Sequence, residues 1–263
     1  MTIGAEVAAH LPYLRRYARA LTGSQTTGDR FVKATLEAAL ADKDLAASLR
    51  GGRVPLYNAF TRLWSSASVD TAVPAGASLH ELAAQDQLDR VTPRSRQALL
   101  LTTLEEFSPA EAAMIMGTGE DDVNALVQEA IEEIDRENTT TVLIIEDEPL
   151  ISMQLEDLVS GLGHEICGTA ATRTQAREVV ERATPGLVLA DIQLADGSSG
   201  LDAVDDILAI ANVPVIFITA YPERLLTGDR PEPTYLITKP FQEETVRAAI
   251  SQALFFGSSR PLN

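Results

Sequence analysis

Gly186-Leu187-Val188-Leu189-Ala190-Asp191-Ile192-Gln193 is an apolar run that stops on a carboxylate. Pro185-Gly186 bounds it on one side and Ala195-Asp196-Gly197 on the other, so it reads as a short strand buried on both faces. A second run, Thr141 to Ile145, ends in the same manner on Glu146-Asp147-Glu148. In an open parallel sheet covered by helices, ligands bind beyond the carboxyl ends of the strands, at the point where strand order reverses. Both acidic endings are expected there. Carboxylates brought together repel one another unless a cation joins them, and hard oxygen ligands beside a phosphoryl group describe a magnesium site. Two further runs complete the pocket: Val213 to Ile218 delivers Thr219, and Tyr235 to Thr238 delivers Lys239-Pro240.

The rest of the chain reads differently. No strand alternation precedes residue 140, and apolar residues recur at helical spacing instead. Val7, Leu11, Leu14, Tyr17, Ala18 and Leu21 form one stripe, stopped by Thr22-Gly23. Phe31 to Leu40 forms a second, and Val54 to Trp64 a third after Gly51-Gly52. The expected organisation is a helical block over 1–64, a linker over 65–78 rich in small and polar residues, a second helical block over 79–137, an α/β domain over 139–256 and a tail over 257–263. Leu79 to Val91 is expected to be helical, and Thr92-Pro93 to open the next helix with a threonine cap. Ser108-Pro109-Ala110-Glu111 is a capping box, Gly117 ends that helix, and another helix is expected from Glu120 to Arg136. Two helices joined by a glycine turn have the form of a helix-turn-helix.

Charge argues against a nucleic-acid role. The formal net charge is −17, and both halves of the chain are acidic. A recognition helix meets phosphates with its first residues, yet these are Glu120, Asp121 and Asp122, followed by Glu129, Glu132 and Glu133. Such a face lacks the Lys and Arg that release counterions from DNA. With a single cysteine, Cys167, no intrachain disulfide is available. Neither a signal segment nor an apolar run of membrane-spanning length is evident, so no membrane role is expected and a reduced, cytoplasmic setting is. His10, His80 and His164 have no metal-ligand spacing. Cys167 is expected to be a small buried hydrophobe, and Trp64 a packing residue.

Residues 141 to about 256 resemble the receiver domains of two-component response regulators: strand ends bearing Glu146-Asp147, Asp191, Thr219 and Lys239 occur in that order. The resemblance implies a flavodoxin-like, doubly wound, five-stranded parallel sheet and phosphorylation of Asp191 by a sensor histidine kinase. It implies Mg2+ held by Asp147, Asp191, the backbone carbonyl of Gln193 and, in the outer shell, Glu146, with switch roles for Thr219 and Lys239. The signal is expected to leave through Tyr221 and the segment to Gly228, and through Tyr235. Receivers usually carry an aromatic three residues before the lysine, whereas here Leu236 stands there and Tyr235 precedes it. One residue of offset turns a strand side chain to the opposite face, so the usual aromatic switch is expected to be absent or rearranged. The resemblance also implies a cis Lys239-Pro240 bond.

Leu11-Pro12-Tyr13-Leu14-Arg15-Arg16 through Thr22-Gly23 resembles region 2 of extracytoplasmic-function sigma factors. Thr92 to Leu101, with Ser108 to Gly117, resembles region 4. A sigma-like half followed by a receiver is similar to the PhyR family, the general stress response regulators of alphaproteobacteria. That resemblance implies an anti-anti-sigma factor. Phosphorylation would loosen an intramolecular interface between receiver and sigma-like half, which then sequesters a small NepR-like anti-sigma factor and releases the true sigma factor. The competing readings are a regulator that binds DNA or RNA polymerase, and a phosphohydrolase. The latter lacks a second carboxylate at Gln193 to act as general acid, so no enzyme is expected.

Overall fold

The computed structural model describes residues 3–69, 92–134, 139–194, 197, 199–211, 213–222 and 233–257. The chain divides into two compact units, Met1–Ala130 and Ile131–Asn263.

The first unit is helical: α1 Ile3–Thr22, α2 Gln25–Ala41, α3 Lys43–Ser48, a 3-10 turn Leu49–Gly51, α4 Arg53–Val69, α5 Arg94–Thr103, α6 Pro109–Met116 and the greater part of α7 Glu120–Ile134. The stripe read on α1 is the buried one, with Leu14, Tyr17, Ala18 and Leu21 at the centre of the core. Tyr17 meets Tyr57 and Phe60 of α4 at ring-centroid distances of 5.5 and 5.9 Å. Trp64 stands edge-on to Phe31 at 4.8 Å, a core contact as expected. Gly23, at φ 63°, turns the chain between α1 and α2, and Ser24 caps α2 by accepting from the Thr27 N–H. Gly28 lets the two helices touch backbone to backbone: a Cβ there would lie 2.8 Å from Ala18 C and from Arg19 N. Beside this contact the Arg15 and Arg19 guanidinium groups both grip Asp29. Burial pushes the Asp29 carboxyl up, but the two arginines outweigh it and hold the group below its usual range.

A buried carboxylate fastens the two helical blocks together. Glu105 follows α5, and its Oε1 accepts from Arg16 Nε of α1 at 3.0 Å, while its Oε2 accepts from Tyr57 of α4 at 2.7 Å. Arg16 also donates to the Leu104 carbonyl at 2.8 Å. Arg53 donates to the Glu105 carbonyl and stacks over Phe107 at 4.2 Å. Burial drives the Glu105 carboxyl up, with Arg16 and Tyr57 opposing it.

Two expectations are corrected here, and one helix is added. The linker begins later than residue 65, because α4 continues through Val69; the remainder of it and the helix expected over Leu79–Val91 lie outside the described residues. Thr92 does not cap α5 with its side chain. Pro93 occupies that position without a side-chain cap bond, and the Thr92 hydroxyl donates to the Leu21 carbonyl of α1. Helix α3, which the apolar pattern did not announce, is started by Asp42, whose side chain accepts from the N–H groups of Asp44 and Leu45.

The helix-turn-helix is present as α6 and α7. Ser108 and Glu111 form the reciprocal capping box, and Gly117 closes α6 in the left-handed region. Asp122 accepts from Thr118 Oγ1 at 2.7 Å and from the Gly119 N–H at 3.0 Å, so one of the acidic residues opening α7 holds that helix start. Glu120, Asp121, Glu129 and Glu132 are exposed and Glu133 is half-buried.

The second unit is the doubly wound domain: β1 Thr141–Ile145, α8 Pro149–Gly161, β2 Glu165–Ala170, α9 Arg173–Val180, β3 Leu187–Ala190, α10 Gly200–Leu208, β4 Val215–Thr219, β5 Tyr235–Thr238 and α11 Glu243–Gly257. Its sheet is five-stranded and parallel, ordered β2-β1-β3-β4-β5. Strand order reverses between β1 and β3, and all four residues of β3 are buried, as the opening run required. Cys167 is half-buried against the core rather than fully enclosed. Among the described residues, no helix is long and apolar enough to cross a membrane.

Candidate phosphoacceptor site

Each site residue is placed by the strand that ends at it. The Asp191 N–H donates to the Ile145 carbonyl at 2.8 Å, extending the pairing of β3 with β1 by one residue. This turns the Asp191 side chain into the crevice beyond both strands. Its Oδ1 accepts from the N–H groups of Ile192 and Gln193. Gly200, the first residue of α10, donates its N–H to the Ile192 carbonyl at 2.8 Å. A Cβ at Gly200 would lie 1.7 Å from the Asp191 carbonyl oxygen, so only glycine fits against the acceptor. The Glu146 N–H donates to the Ala170 carbonyl of β2, and its side chain is buried beside Asp191.

Lys239 follows β5, and its N–H donates to the Thr219 carbonyl at 2.8 Å. Its ammonium reaches across the crevice to Asp191 Oδ2 at 2.7 Å, Glu146 Oε2 at 2.8 Å and Glu148 Oε1 at 3.4 Å. Burial pushes the ammonium's pKa down, but Asp191 and Glu146 more than reverse this, and it stays charged. Burial pushes the Glu146 carboxyl up, with Lys239 as the opposing influence. Thr219 is fully buried at the end of β4, where its Oγ1 accepts from the Tyr221 N–H at 3.2 Å. The Lys239-Pro240 bond is cis.

Asp191, Glu146 and Lys239 thus meet as the strand ends foretold, with Thr219 on the neighbouring strand. Among the described residues, the carboxylates whose oxygens approach within 4.8 Å of one another are Glu146, Glu148 and Asp191. Asp147, expected as a ligand, is half-buried and stands outside this trio. Glu148 was named in the acidic ending of β1 but given no role, although residues two apart in an extended segment share a face. Gln193 forms a bridge with Ser199. Tyr221 is partly exposed, and the segment beyond Pro222 to Gly228 lies outside the described residues. Tyr235 is buried and points at α11, where its hydroxyl donates to the Gln252 carbonyl at 3.2 Å, while Leu236 lies in the core on the other face of the sheet.

Comparison with known proteins decides the family. Residues 7–61 match the sigma2 domain of PhyR, 88–137 the sigma-like domain of the response regulator PhyR, and 142–251 the response regulator receiver domain. The phyllosphere-induced regulator PhyR of Methylorubrum extorquens is 54% identical over 96% of this chain and 94% of its own. The chain belongs to the PhyR family. Crystal structures of PhyR proteins agree along nearly the whole length. The anti-anti-sigma factor PhyR of Bartonella quintana has a TM-score of 0.84 at 47% identity, covering 98% of this chain and 97% of its own. A PhyR stress response regulator has a TM-score of 0.81 at 57% identity, covering 99% and 100%.

Proposed function

We propose that this PhyR-family chain is an anti-anti-sigma factor switched by phosphorylation of Asp191. The observation that carries the reading is the setting of that carboxylate. One oxygen is fixed by two backbone N–H groups and the other faces a lysine ammonium, in a crevice whose remaining charges are negative. Phosphoryl transfer needs positioning and charge neutralisation more than covalent assistance from the protein. Asp191 supplies the acceptor oxygen, a sensor histidine kinase supplies the phosphoryl group, and Lys239 neutralises the charge that gathers.

The donor set suits Mg2+. Asp147, Asp191 and the Gln193 carbonyl would hold it, with Glu146 behind them; it would supply the charge neutralisation that one ammonium among three carboxylates leaves incomplete. The phosphorylated aspartate gains oxygens that accept a hydrogen bond from Thr219. Tyr221, whose N–H is bound to the Thr219 hydroxyl, and Tyr235 then carry the change outward.

The output is protein sequestration. The Bartonella quintana relative has been crystallised with the anti-sigma factor NepR, and the acidic start of α7 offers DNA phosphates no cationic partner. On phosphorylation the receiver releases the sigma-like half, which captures a NepR-like protein and frees the true extracytoplasmic-function sigma factor. The test is binding of the full chain to a NepR-like protein with and without Mg2+ and beryllofluoride. Binding should tighten with the phosphoryl mimic and lose that response in Asp191→Ala. Donor-independent binding of equal strength would remove the receiver from control.

A further inference from the structure

We propose that Glu148 is a third anionic group of the cation site, and that it tips the competition between a divalent ion and the Lys239 ammonium. The inference rests on the reading of this crevice as a divalent-cation site and deepens it. Glu148 stands at the N-cap of α8, where a side chain ordinarily accepts from the first N–H groups of the helix; it makes no such cap bond. Its carboxylate turns back over the crevice instead, 3.4 Å from Lys239 Nζ and within 4.8 Å of oxygens of Glu146 and Asp191.

A second observation points to a ligand. Glu146 Oε2 is fully buried, and the contact it makes among the described residues is the ion pair with Lys239 Nζ at 2.8 Å. Burying a carboxylate is costly unless its charge is offset, and a single ammonium shared among three carboxylates leaves two negative charges uncompensated. That residue equals the charge of one divalent ion. The exposures assign the parts: the Glu146 and Asp191 side chains are 0% and 9% accessible, whereas Glu148 is 61% accessible. Glu148 can therefore meet an arriving ion in water and turn with it, without repacking its neighbours. It also binds back to the inner carboxylate through its own N–H, which donates to Glu146 Oε1 at 3.2 Å.

The plainer alternative is that Glu148 merely places negative charge at the start of α8. Mn2+ titration of the full chain, with free ion followed by electron paramagnetic resonance, separates the two. Glu148→Gln is expected to weaken Mn2+ binding by about tenfold, the scale on which supporting carboxylates act at metal sites. Glu148→Asp should recover part of the loss, and thermal melts should show both variants folded. Unchanged Mn2+ affinity in Glu148→Gln would overturn the inference and leave the helix-terminus role. Absence of Mn2+ binding by the parent chain would overturn the divalent-site reading itself, and this inference with it.

Discussion

Asp191, Thr219 and Lys239 were legible because each ends a buried apolar run, and parallel topology sends all such ends to one crevice. Glu105 was not, because nothing near it in the chain marks it. Its partners Arg16, Arg53 and Tyr57 lie 48 to 89 residues away, and the Glu105-Glu106 pair after an apolar helix looks like a solvated one. Its burial makes its chemistry asymmetric. Removing one member of a buried ion pair strands the other charge, whereas replacing both with apolar groups is often harmless. Arg16→Met should therefore destabilise the helical unit by about 3–5 kcal/mol, read as a lower urea midpoint. Arg16→Met combined with Glu105→Met should recover most of that loss. Equal instability of the single and double variants would show that packing volume, not charge, carries the contact.

At the level of elements, helices with a continuous apolar stripe and a defined stop were read correctly. The capping box of α6 was too, since the bonds of Ser108 and Glu111 are local in sequence. Short α3 escaped because six residues cannot show a period and its start rests on Asp42 alone. Edge strand β2 is half exposed and interrupted by Gly168, so it lacks the apolar continuity that marks β1, β3 and β4. The close approach of α1 and α2 was also hidden, because a glycine inside a helix reads as a weakness until its neighbour is known. Here Gly28 is the contact. Gly28→Ala would improve helix propensity by up to about 1 kcal/mol, but the added methyl group meets backbone atoms at 2.8 Å. Net destabilisation of about 1–3 kcal/mol is expected, measured by chemical unfolding; net stabilisation would mean that the two helices can part freely.

For the whole molecule, resemblance supplied what periodicity could not. The residues alone gave an acidic helical half and a phosphoacceptor half; the order of the two, matched by PhyR proteins along nearly the full chain, joins them into a switch. If the receiver restrains the sigma-like half, a chain ending at Glu137 should bind a NepR-like protein without any phosphoryl donor, as a pull-down would record. Failure of that fragment to bind, while the beryllofluoride-treated full chain binds, would make the receiver a contributor to the binding surface rather than its restraint.

The Glu105 contact also bears on the order in which the helical unit can mature. Arg16 and Glu105 are separated by 89 positions, so the bond closes a long loop whose entropic cost falls due before any contact inside it is rewarded. During synthesis Arg16, Arg53 and Tyr57 leave the ribosome well before their shared carboxylate does. The first helical block thus waits, incompletely satisfied, for the second. A chain cut between residues 69 and 92 should accordingly yield two pieces whose helical blocks regain their structure only by finding each other again.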